Sequence, residues 1–140
     1  GSATWVDVRG TSRYVTFAHY RGKNDESDRD PRWTTLVEFD SEWRQRQSWV
    51  YHDEVVSRLG NMSVSGGEFA ADGRLWCTGH DNPEVYVLRF PDGGSVLVLE
   101  DILPAPFQGQ GIALDPVDGE LLYGIDRRTR EIIVCRLRSA

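Results

Sequence analysis

Glu68 follows two glycines, Gly66-Gly67, at the head of an apolar stretch that continues through Phe69. A carboxylate at the start of a strand faces either a channel or bulk water. In a channel shared with other acids it draws a cation or holds its proton to higher pH; in water it does neither. His19 and His80 each close an apolar run, 13–18 and 74–79, and are followed by Tyr20 and Asp81. A neutral imidazole there can act as general base or metal ligand, which makes His80 and His19 the candidate catalytic residues. The alternative is a hydrogen bond that ties a strand end to a neighbouring loop. Asp126 ends a third such run, where Asp commonly caps a turn by accepting backbone N–H groups. Asp81, Asp126 and Trp33 are the candidates for ligand contact at a rim or channel. Of the five tryptophans, Trp33 and Trp43 flank loops and could offer flat faces to a carbohydrate. The default for an indole is packing between sheets.

Other chemistry is excluded more firmly. The run 21–32 holds Asp25, Glu26, Asp28 and Asp30, but lacks the Gly, the terminal Glu and the flanking helices of an EF-hand. It reads as a solvated loop, able to cover a channel entrance. No Gly-x-Ser-x-Gly elbow, His-Glu-x-x-His helix or phosphate-binding Gly-rich loop occurs. A net charge of −6 argues against nucleic acid as a partner. No apolar run approaches the roughly 20 residues of a membrane span, so a soluble chain is expected, with no membrane partner. Cys77 and Cys135 lie far apart with no companion ligand pair, and read as small core residues. The opening Gly1-Ser2 looks like an appended dipeptide, so the location stays open between cytoplasm and a secreted or periplasmic site with its leader absent.

These residues must be positioned by strands. Short alternating apolar runs, broken by Asp72-Gly73, Asp92-Gly93-Gly94 and Asp118-Gly119, predict an all-β chain of eleven strands. The first is expected at 4–8, the eighth at 95–99 and the last at 131–137. One short helix is expected at 52–59, stopped by Gly60. The strands recur. Residues 67–72 match 111–116, residues 87–90 match 134–137, and residues 13–19 resemble 74–80. A unit of about 45 residues with four strands has the spacing of a β-propeller blade. The chain divides into about three four-stranded antiparallel blades, near 3–60, 61–104 and 105–140, with the last incomplete. Together they form a single three-bladed half-propeller spanning 3–140. A closed ring of even four blades needs roughly 180 residues. The ring is therefore expected to be completed by oligomerisation. A homodimer of half-rings would make six blades; otherwise the chain is one half of a larger propeller whose other half is missing. A compact sandwich that mimics blades is the rival architecture.

The third unit, Gly109-Gln110-Gly111-Ile112-Ala113-Leu114-Asp115-Pro116 with Leu122-Tyr123-Gly124-Ile125-Asp126, resembles the blade signature of six-bladed propellers. That superfamily includes the NHL-repeat, strictosidine-synthase-like and SMP-30/gluconolactonase-like proteins. The second unit, Gly66-Gly67-Glu68-Phe69 through Trp76, is similar to the opening motif of the gluconolactonase type. The resemblance covers about 63–137 well and 3–51 loosely. It implies a central channel that holds a divalent cation, usually Ca2+, in the hydrolytic members. Glu68 falls on the motif Glu, and Gln110 on the motif Asn with one more methylene of reach; these are the metal-ligand candidates. Two functions follow. The first is a binding or scaffold unit that dimerises into a six-bladed ring and takes a ligand at its channel or rim. The second is a calcium-dependent hydrolase of the lactonase or phosphotriesterase type. There Glu68 would hold the cation and His80 or His19 would be the base.

Overall fold

The computed structural model describes residues 1–136, so Leu137, expected in the last strand, lies outside the described residues. The chain is all-β, built as three successive antiparallel sheets of four, four and three strands. The first sheet is β1 (Ser2–Arg9), β2 (Ser12–Ala18), β3 (Thr35–Phe39) and β4 (Gln45–Val50), paired in that order. The second is β5 (Gly66–Phe69), β6 (Leu75–Thr78), β7 (Glu84–Arg89) and β8 (Val98–Pro104). The third is β9 (Ile112–Leu114), β10 (Leu121–Asp126) and β11 (Glu131–Arg136). Each sheet is a meander whose first strand lies at one edge. These first strands neighbour one another: β1 packs beside β5, and β5 beside β9. Among the described residues no helix is long and apolar enough to cross a membrane.

The predicted helix forms as α1 (Asp53–Leu59), in the link between the first two sheets. The ring nitrogen Nδ1 of His52 accepts from the Glu54 N–H to cap its start, and Gly60, at φ 61°, ends it. Val55 and Leu59 carry it into the core. The eighth strand lies later than its hydrophobic pattern predicts. Residues 95–97 instead pair parallel with Val50 at the edge of β4, through Val50 N–H to Ser95 O and Leu97 N–H to Val50 O. That contact stitches the outer edge of the first sheet to the second and buries Leu97.

Side chains alternate faces along a strand, so directly paired residues form rows on one face. The first sheet turns the rows Asp7–Tyr14–Glu38 and Trp5–Thr16–Leu36 toward the second. The second answers with Phe69–Leu75–Leu88 and Gly67–Cys77–Tyr86. Its other face, Glu68–Trp76–Val87 and Gly66–Thr78–Val85, meets Leu114–Leu122–Cys135 and Ile112–Gly124–Ile133 of the third. Two buried clusters result, one at each seam. The larger includes Tyr14, Leu36, Trp49, Tyr51, Phe69 and Leu88, and the smaller Trp76, Val85, Val87, Phe107 and Leu122.

This geometry shifts the repeat register. Sequence similarity sets Tyr14 on Leu75 and Phe69 on Ala113. The structure makes Tyr14 the counterpart of Trp76, because both face the following sheet, and Phe69 the counterpart of Leu114. A slip of one residue exchanges the two faces, and only contact between sheets fixes which is which. The loop 21–32 is also more firmly held than its polarity suggests. Arg21 and Gly22 donate backbone N–H groups to Asn61 O, and the Asp30 carboxylate caps the 3₁₀ turn Pro31–Trp33 while pairing with Arg32.

The sheets approach so closely that two glycines are needed where they touch. A Cβ on Gly67 would lie 2.5 Å from the Trp5 indole, and one on Gly66 would collide with the Gln110 carbonyl. Gly67→Ala is expected to lower stability by about 1–3 kcal/mol through overpacking at the first seam. Gly119→Ala, where a Cβ meets open space, should change little. Urea unfolding of the two variants against the parent checks the contrast.

Candidate functional site

The first strand of each sheet is an edge, and its outward N–H groups need acceptors. Two carboxylates supply them across the seams. Asp7 Oδ2 on β1 accepts from Phe69 N–H on β5 at 2.9 Å, and Glu68 Oε2 on β5 accepts from Leu114 N–H on β9. Since Phe69 and Leu114 are counterparts, the two bonds are repeats of one device. Asp7 also takes the Val8 N–H with Oδ1 at 2.7 Å. Asp7 attracted no notice in the sequence, although a lone acid in Val6-Asp7-Val8 was the available signal.

Glu68 also lines a cleft of about 510 Å³ between the first hairpins of the second and third sheets. Trp76, Arg74, Leu114, Asp115 and Val117 are among the residues of its walls. The corresponding space at the first seam is filled. There Phe69 packs on Tyr14 at 4.8 Å and on Phe90 at 5.7 Å, with the Arg9 guanidinium over its ring. Leu114, standing where Phe69 stands one sheet earlier, is too small to fill the second seam in the same way. The Arg74 guanidinium lies 5.7 Å from the Trp76 ring centre, and the Trp76 Nε1 is buried without a hydrogen-bond partner. Burial raises the Glu68 pKa above its ordinary value, against the lowering effect of the Leu114 N–H, and the nearby Asp7 charge raises it further. Asp115 is held low by the N–H of Asp118, then the Tyr123 hydroxyl and the Val117 N–H.

His80 is fully engaged. Its Nε2 lies 2.7 Å from Arg127 Nη1, which can only donate, so Nε2 accepts. Its Nδ1 then carries the proton and donates to Asp81 Oδ1 at 2.6 Å. Arg127 Nη2 also donates to the His80 carbonyl at 2.6 Å. The cluster ties the end of β6 to the turn after β10, and neither ring nitrogen is left over. Arg127, which sequence reasoning missed, is its hub. His19 has a different setting. Its backbone N–H donates to Thr34 Oγ1, its ring meets Trp33 edge-on at 6.0 Å, and its buried Nδ1 has no partner. Burial, the chain's amino terminus and Arg29 hold its pKa below the ordinary value. Its contacts are with the Trp33 loop, whereas those of His80 are with the third sheet. Trp33 itself is 55% exposed.

Asp126 is buried and accepts the N–H groups of Arg128 and Thr129, so it caps the β10–β11 turn. Gln110 contributes its backbone carbonyl, which accepts from the Thr78 hydroxyl at 2.6 Å. A calcium ion wants six to eight oxygens. Glu68 brings one carboxylate already bonded to Leu114, and among the described residues no three His, Cys, Asp or Glu side chains gather into a metal-holding group.

No protein-family model matches the chain, and no curated protein does. Among solved structures it is similar to a crystal structure of a protein of unknown function from Bacteroides caccae, at 9% identity and a TM-score of 0.48. The match covers 89% of this chain and 42% of that one, so the chain spans less than half of that protein's length.

The Glu68 setting has a pH signature. A carboxyl whose pKa is raised on folding binds its proton more tightly in the folded state. Its contribution is therefore best below the ordinary glutamate range and is lost as pH rises through the folded value. Glu68→Gln keeps an amide oxygen for the Leu114 N–H but carries no charge. It should melt above the parent at pH 8, with the gap closing toward pH 4. Thermal melts across that range test this, and a gap that does not vary with pH would refute it.

Proposed function

We propose that the chain is a blade-bearing half-ring, a binding or scaffold unit that pairs with a second copy to close a six-sheet ring of the β-propeller type. One observation carries this reading: both ends of the three-sheet stack present apolar faces to solvent. On the first sheet Val6 and Val8 are 58% and 59% exposed. On the third, Ile125, Ile132 and Val134 are 46%, 72% and 54% exposed. Contiguous exposed apolar side chains of this kind mark association surfaces. At the interior seams the same structural rows are covered by a neighbouring sheet. The side-by-side packing of β1, β5 and β9 supports a common inner edge around which such a ring would close. The blade-signature resemblance of the second and third units supports the same architecture.

In this reading the protein acts by presenting concave surfaces between adjacent hairpins, and the Glu68–Trp76 cleft offers a ligand both charge and an aromatic floor. Sedimentation equilibrium is the test. A species of twice the chain mass of 15.9 kDa at micromolar concentration is expected. A single-chain species across that range would overturn the proposal.

A further inference from the structure

Resting on that ring-forming reading, we propose that the two copies meet head to tail, the open face of the third sheet of one seating on the open face of the first sheet of the other. Facing the next sheet are Asp7–Tyr14–Glu38 in the first sheet, Glu68–Trp76–Val87 in the second and Ala113–Tyr123–Val134 in the third. The third row keeps the central aromatic but has alanine in place of the acid, and the neighbouring pair Ile125–Ile132 is also apolar. The face that would meet a following sheet therefore carries no carboxylate at the latch position, and the nearby Asp115 is taken up by the Tyr123 hydroxyl and the Val117 and Asp118 N–H groups.

The opposite end is matched to that loss. Facing backward, the counterpart of Phe69 and Leu114 is Val8. The Phe69 and Leu114 N–H groups are satisfied across their seams, by Asp7 and Glu68. The Val8 N–H is satisfied within its own strand by Asp7 Oδ1. The end whose latch position holds no acceptor thus meets the end whose Val8 amide is already satisfied, and the exposed Val6 and Val8 give that edge strand its apolar surface beside the buried Val15 and Val37. A seam made this way repeats the forward-on-backward packing that the chain already uses twice, and buries no unpaired latch. Pairing like with like would set two forward faces or two backward faces together, an arrangement neither interior seam uses. Two copies joined head to tail about a single axis close with two identical seams.

Val8→Glu and Ile132→Lys test the arrangement, since both side chains are well exposed and each substitution charges one end only. Circular dichroism melts establish that both variants fold. Sedimentation of the parent, each variant alone and an equal mixture then gives the answer. Head-to-tail joining predicts a two-chain parent and single-chain variants. It also predicts that the mixture recovers pairs, because one of its two seams is unaltered. With one native seam, its midpoint concentration should lie at least about tenfold above the parent's. A variant that stays paired alone, or a mixture that stays single-chain a hundredfold above the parent's midpoint, would overturn the head-to-tail arrangement while leaving ring formation standing. A single-chain parent would overturn the reading beneath it.

Discussion

A first strand in this fold has a neighbour on one side only, and its outward amides would otherwise face a partner strand that never hydrogen-bonds to it. The carboxylate latch answers that constraint. Asp7 reaches the Phe69 amide and Glu68 reaches the Leu114 amide, so the sheets are joined along their first strands by side chains and not by a continued ladder. The Glu68 bond forms even though burial disfavours the ionised carboxylate. It also fixes how far each sheet sits along its neighbour. The close glycine contacts at Gly66 and Gly67 follow from the same approach, because no side chain fits between strands drawn together this way.

Small differences between repeats then set the local chemistry. With Phe69 at the first seam, aromatic rings close the space beneath the hairpins. With Leu114 at the second, a cleft opens beside Glu68 and Trp76. With Ala113 in the third sheet, the latch disappears and an apolar face remains. One structural position, occupied in turn by Asp, Glu and Ala, thus separates two bonded seams from one open end. The opposite rim is secured by other means, the Arg127–His80–Asp81 cluster between the second and third sheets and the Thr34–Ser63 hydroxyl pair beside the Trp33 loop.

Much of the architecture was readable from residue order. Alternation and Asp-Gly turns placed eleven strands, and Gly60 marked the end of the one helix. Asp126 behaved as the turn cap its setting suggested, and Trp33 stood at an exposed loop. The misplacement of β8 has a clear cause: residues 95–97 are as apolar and extended as a ladder strand, but their partner is Val50 of the preceding sheet, and nothing local encodes that choice. The site was less legible. His19 and His80 looked alike because both follow an apolar run, yet one sits against Trp33 and the other is clamped by Arg127, a residue distant in sequence. Glu68 was visible as an unusual acid, but its hydrogen-bond partner lies on another sheet.

By itself, the sequence determined that eleven short strands follow one another, where the chain turns and, β8 apart, roughly where each strand lies, because these depend on alternation and backbone preference over a few residues. Tertiary structure alone decided which face of each strand is inward. That choice turns on contacts between sheets, and a shift of one residue reverses it without altering the local pattern. It therefore also decided that Asp7 and Glu68 are equivalent, that His80 spends both nitrogens on neighbours, and that Val6 and Val8 of the first sheet and Ile125, Ile132 and Val134 of the third lie exposed.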